Sequence, residues 1–205
     1  MRGRRPFSRH GPQVESRVSR RDLSRHELNR GASRKQIPIS KNLVIKDCAL
    51  SDTVGTGTLN IPGAADSPSA SLETVVSDVM PCRHCECRVD TLDQQLKEAG
   101  RVTLLKMDVE GHELNVFRGA KETLKRHAPV LLFECEARHL RQHTMADVFA
   151  FLQGFGYTGE FFSPDGLRLL SEFDPARHQN REGDRFWDAP GYCNNFLFTP
   201  RAKLC

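Results

Sequence analysis

Asp108 and Glu110 stand two residues apart in the segment Leu105-Lys-Met-Asp-Val-Glu-Gly-His-Glu113, with His112 just beyond them. Carboxylates and an imidazole at this spacing suit general-base chemistry near neutral pH, taking a proton from a nucleophile or holding it in line. Asp108 is the leading catalytic candidate, as a base or as the residue that orients an acceptor or cofactor. Glu110 and His112 are the second and third. Each has a structural alternative. A carboxylate beside a helix start caps backbone N–H groups and favours the dipole, and for Glu110 capping is the weightier reading. A histidine in a first helical turn is more commonly a surface residue. Glu134 and Glu136 join the set if their strand neighbours this one.

These groups need elements to position them. Val102–Val109 reads as a buried strand that delivers the carboxylates to a tight turn opening a helix, and in open α/β sheets ligands sit at the carboxyl ends of strands. Upstream, Leu43–Leu50 is a plausible strand and Thr58–Ile61 a short edge strand before Pro62. Thr91 is suited to cap a helix with Gln94 as its partner, Leu92, Leu96 and Ala99 supplying the apolar face and Gly100 the stop. Leu114, Phe117, Ala120 and Leu124 follow at near-helical spacing, with basic residues at the C-terminal end. Pro129 opens a second buried strand, Val130–Phe133. Thr144 and Asp147 start a helix carrying Met145, Val148, Phe149 and Leu152 at i, i+3, i+4 and i+7. Phe161–Leu170 reads as a hairpin around Pro164-Asp-Gly166, and Phe196–Phe198 as a last short strand. This order predicts a mostly parallel sheet with an antiparallel end.

Metal chemistry has two weaker candidates. Cys82, Cys85, Cys87 and His84 supply enough ligands for zinc, but four ligands within six residues rarely close a tetrahedron and no second pair stands at finger spacing. His139 and His143, four apart, lack the glutamate of a zinc-peptidase motif and read as surface histidines. No metal is expected.

The charge is uneven. Residues 1–40 carry ten Arg and one Lys against three acidic residues, a net of 11 − 3 = +8, whereas the remainder carries 19 basic and 23 acidic residues, a net of −4. Residues 1–40 read as a basic, disordered tail and 41–205 as a partial catalytic domain. An Arg-rich tail suits acidic surfaces, but with Phe7 as its one aromatic residue a specific nucleic-acid partner is not expected. The seven cysteines are an odd number, and with no apolar leader visible they read as free thiols in the cytoplasm. The longest apolar runs are too short to cross a bilayer, so no membrane partner is expected. Nothing in the sequence fixes an oligomeric state.

Several segments together resemble the FkbM-type methyltransferases: Ala49-Leu-Ser-Asp52, Ala70-Ser-Leu72, Val89-Asp-Thr-Leu-Asp93, the Leu105–Glu113 run, Phe117-Arg-Gly-Ala120, Pro129-Val-Leu-Leu-Phe-Glu134 and Asn194-Asn-Phe-Leu-Phe198. The resemblance runs from about Asn42 to Pro200, and the order and spacing of these segments carry it. It implies an α/β, Rossmann-like class I methyltransferase sheet, here N-terminally truncated, since neither a Gly-x-Gly turn nor a strand leading into one precedes Asn42. A truncated sheet would leave an exposed edge. By resemblance, the cofactor is S-adenosyl-L-methionine, with Asp47, Cys48 and Ala49 matching the segment that lines the adenine pocket. The implied activity is methylation of an oxygen, or less readily a nitrogen, on a small-molecule or sugar acceptor. The alternative is a non-catalytic partial domain acting as a binding module, its basic tail contacting nucleic acid.

Overall fold

The computed structural model describes residues 43–63, 69–74, 81–183 and 185–201. The expectations for the basic tail fall outside them. The chain divides into a first unit ending at Asp47 and a compact second unit, Cys48–Cys205. Of the first unit, residues 43–47 are described and carry no regular secondary structure.

The second unit holds two sheets. In the smaller, β1 (Ala49–Leu50) lies parallel to β3 (Cys82–Asp90), which pairs antiparallel with β2 (Gly55–Pro62). The strand expected over Leu43–Leu50 thus shrinks to its last two residues, and the short edge strand at Thr58–Ile61 grows to eight. The growth has a physical source: β2 meets β3 over a continuous register from Gly55↔Val89 to Pro62↔Cys82.

The larger sheet has the order β4-β5-β8-β6-β7, formed by Leu104–Met107, Val130–Glu134, Asn195–Pro200, Tyr157–Ser163 and Gly166–Leu169. Only β4–β5 is a parallel pair in it; β5–β8, β8–β6 and β6–β7 are antiparallel. The expectation of a mostly parallel sheet is therefore corrected to a mixed α/β fold that is mostly antiparallel. The long return from β7 lays β8 between β5 and β6, which places antiparallel pairing at the centre of the sheet instead of its margin. Nor is β4 buried throughout. Among the described residues β5 is its one strand partner, and Leu104 is 55% exposed while Met107 is buried.

The helices follow local signals. Thr91 caps α1 (Leu92–Gln95) by accepting from the Gln94 amide, although the helix stops after four residues. The single helix expected over Leu114–Leu124 is two, α2 (Glu113–Arg118) and α3 (Lys121–His127). Gly119, the C-cap of α2, stands between them, and a side chain there would have its Cβ 2.0 Å from the Ser51 carbonyl oxygen. The Asp93 carboxylate then caps α3, accepting from the Glu122 and Thr123 amides at 3.0 and 2.8 Å. α4 (Met145–Gly154) opens on a reciprocal Thr144–Asp147 capping box. Its Val148 and Leu152 join Phe117, Phe133, Phe196 and Phe198 in one apolar core.

Candidate active site

The parallel pairing of β4 with β5 settles which carboxylates meet. With Met107 opposite Phe133, the residues that follow, Asp108 and Glu134, leave neighbouring strands at the same end. Asp108 is solvent-facing, its side chain 52% exposed with the Lys106 ammonium 3.8 Å away. Glu134 ends β5 and Glu136 follows two residues later.

The two glutamates have opposite surroundings. Glu136 is buried, and burial alone would raise its pKa; the Arg138 guanidinium and the Tyr192 hydroxyl, both donating to it, outweigh that and hold it well below the usual carboxylate range. Glu134 has no such cation. Burial, the Glu136 carboxyl beside it and the charges of Asp108 and Glu110 push its pKa up to about 8. Asn194 Nδ2 donates to both, at 2.7 Å to Glu134 and 3.2 Å to Glu136. The result is a proton-holding carboxyl beside an ionised one, an arrangement found where proton transfer is needed.

The turn between β4 and α2 is clamped from two sides. Glu110 adopts a left-handed backbone (φ 52°) and does not cap α2; its carboxylate lies 2.9 Å from His139 Nδ1. No side chain caps α2, whose N-cap is His112; Glu113 Oε1 instead accepts from the Gly111 amide of the turn at 3.0 Å. On the other side, the Ser71 hydroxyl donates to the Glu110 carbonyl at 2.8 Å. His112 is buried, with Nδ1 2.7 Å from Glu73 and Nε2 2.8 Å from Ser51 Oγ. Both ring nitrogens are thus engaged within the protein, the position of a clamp and not of a surface residue. His139 and His143 share no helix face: a 3-10 turn, Ala137–His139, gives way to irregular chain before α4.

Of the sequence candidates, the structure therefore brings Asp108, Glu110, Glu134 and Glu136 to one sheet end and sets His112 behind them. Asp47 closes the first unit, Cys48 opens the second, and Ala49 begins β1 of the smaller sheet. The zinc reading fails on geometry: Cys82, Cys85 and Cys87 lie on β3, where alternation sends Cys82 to the face opposite the other two. Among the described residues no group of histidine, cysteine or carboxylate side chains is placed to hold a metal, and Cys48, Cys85, Cys135 and Cys193 are free thiols.

Sequence reasoning missed Glu73, Gln179 and Tyr192. Gln179, buried, receives the Ala137 amide at 2.8 Å and donates to the Cys135 and Cys193 carbonyls, fixing the segment that carries Glu136. It and Tyr192 sit in a polar loop without periodicity, which offers no signal. Glu73 stands next to the Ala70-Ser-Leu72 segment, so its neighbourhood at least was marked.

Residues 26–158, well over half of the chain, match the family model described as the methyltransferase FkbM domain. The chain belongs to the FkbM methyltransferase family. No curated protein and no solved structure matches it. The family assignment gives the strand-end carboxylates a chemical context, and the match ends at Thr158, so Asn194, just before β8, lies beyond the matched span. No helix among the described residues is long and apolar enough to cross a membrane.

Proposed function

We propose that this chain is an S-adenosylmethionine-dependent methyltransferase that acts on a hydroxyl oxygen of a small molecule, with Glu134 as the proton acceptor. The observation that carries the reading is the juxtaposition of Glu134 with Asp108 and Glu136 at the ends of the parallel β4–β5 pair. Methylation of a hydroxyl replaces O–H by O–C and releases one proton, which must go to a base. Deprotonated Glu134, with its pKa near the working pH, is matched to that task. Glu136, kept ionised by Arg138 and Tyr192, keeps the proton on Glu134 at lower pH. Asp108, exposed at the neighbouring strand end, orients the acceptor hydroxyl.

The fit to the methyl donor is one-sided. The strand-end carboxyls suit an acceptor, whereas the residues assigned to the methyl donor, Asp47, Cys48 and Ala49, rest on the family resemblance alone. The second reading is a non-catalytic domain of the same family that keeps a binding surface. Calorimetric titration of the full chain with S-adenosylhomocysteine separates the two. Micromolar binding, weakened by Asp47→Ala or Asp108→Ala, supports the enzyme. A folded sample that gives no heat sinks it. With an acceptor in hand, Glu134→Gln should lower kcat by roughly 10²- to 10⁴-fold, the usual worth of a positioned base, and the wild-type rate should climb through about pH 8 as Glu134 loses its proton.

A further inference from the structure

The larger sheet has two unlike faces. Leu131, Phe133, Phe161, Phe196 and Phe198 point into the core, where the buried apolar side chains of α2, α3 and α4 meet them. Alternation sends their strand neighbours to the opposite face. There Leu104, Phe162, Leu167 and Leu169 are exposed, and Leu132 and Leu197 are half-buried. An apolar sheet face of this kind ordinarily packs against a second layer.

The row across the middle of the face says what that layer is. Five directly opposed residues cross it, one from each strand: Lys106 on β4, Leu132 on β5, Leu197 on β8, Glu160 on β6 and Leu169 on β7. The first four read basic, apolar, apolar, acidic. About the line between β5 and β8, that order is its own complement. A two-fold axis lying between two such faces, along that line, sets Lys106 of each copy against Glu160 of the other and Leu132 against Leu197. Aligned sheets pack about 10 Å apart, a gap that a lysine and a glutamate reaching toward each other close. Both charges are available for this. Glu160 has no ion-pair partner among the described residues. Lys106 donates to the Met107 carbonyl at 3.0 Å and stands 3.8 Å from Asp108, yet its side chain remains 47% exposed.

We infer that this sheet face is the contact surface of a homodimer, with Lys106 and Glu160 as its reciprocal ion pairs. A second copy satisfies both halves of the row at once, each apolar position facing an apolar one and each charge its opposite. Leu169 then stands outside the partner's β4, over the edge that lacks a strand partner among the described residues. Glu134 lies at the rim of the face, where β5 ends, so the dimer leaves the proposed site open along the strand ends. The assignment does not depend on the methyltransferase reading.

Sedimentation equilibrium of the full chain tests it. Wild type should show a reversible monomer–dimer equilibrium. Lys106→Glu and Glu160→Lys each set like charges together twice per dimer, and each should weaken association roughly tenfold or more. The double variant restores opposite charges in reversed order and should recover the wild-type affinity to within about threefold. Lys106→Gln and Glu160→Gln, which only remove the charge, should weaken the dimer about threefold and serve where a reversal disturbs the circular dichroism of the fold. A chain that stays monomeric at its solubility limit, larger assemblies growing through the strand edges, a dimer that neither reversal weakens, or one that the double variant does not restore would each overturn the assignment.

Discussion

Glu113 shows how far surroundings, not residue type, decide the behaviour of a carboxyl. It lies three residues after Glu110 and five after Asp108, yet it is 1% exposed, with Oε1 bonded to the Gly111 amide and Oε2 without a partner. Burial pushes its pKa up from 4.5 to about 7, against the lowering effect of its backbone hydrogen bonds. A carboxyl whose folded pKa is raised holds more protons in the folded chain than in the unfolded one between those two values. Its contribution to stability is therefore complete below about pH 4.5 and is lost as pH rises through about 7. Glu113→Gln removes the ionisation. The variant should gain on wild type as pH rises, by about 3 kcal/mol at pH 8, and the difference should vanish near pH 4. Urea unfolding at the two pH values checks this; a pH-independent difference would show that Glu113 does not titrate in this range.

The β4–α2 turn is the element on which the proposed site depends, and it is held by parts that lie far apart in the chain. Ser51, Ser71 and Glu73 bind it from the smaller sheet, and His139 closes it from beyond β5. Gly111 is required there twice over. Its φ is +98°, and an added Cβ would stand 2.5 Å from the His139 carbonyl oxygen. Gly111→Ala should cost roughly 3 kcal/mol, the scale of a strained non-glycine backbone with a steric contact, and should shift the His139 ring resonances as the Glu110 pairing is displaced. A loss under about 0.5 kcal/mol, the range of an inert surface change, would mean that the turn tolerates a side chain. Local signals were legible in the sequence: the Thr144–Asp147 box, the Thr91 cap and the Pro164-Asp-Gly166 hairpin each act through near neighbours. The clamp was not. Hydrogen bonds such as Glu73 to His112 span 39 residues and have no periodicity by which to announce themselves.

At the scale of the whole molecule, the same distinction explains why strand positions were read better than strand order. Unbroken apolar runs mark β5 and β8, and both fall where expected, but pairing is decided by the core they share. Phe133 of β5 packs on Phe117, Phe196 and Phe198 with ring centroids 5.2, 5.8 and 5.4 Å away. Inserting β8 beside β5 lets the two final phenylalanines close over Phe133, a gain that no reading of consecutive elements contains. It also brings Asn194 to Glu134 and Glu136, so the pairing that spoils a mostly parallel sheet is the one that completes the candidate site. If this core ties the second unit together, Phe133→Ala should cost about 3–5 kcal/mol, as truncation of a fully buried phenylalanine does. Phe162, 41% exposed on the same sheet, serves as the control and should cost under about 1 kcal/mol on substitution by alanine. Trp187, the single tryptophan, stands over the Arg138 guanidinium 5.5 Å from its ring centroid and reports on the Glu136 corner by fluorescence. Its transition in urea should move to lower denaturant in Phe133→Ala by the same amount as the backbone transition seen by circular dichroism. A tryptophan transition that stayed in place while the backbone signal moved would show that the corner carrying Glu136 does not depend on the aromatic core.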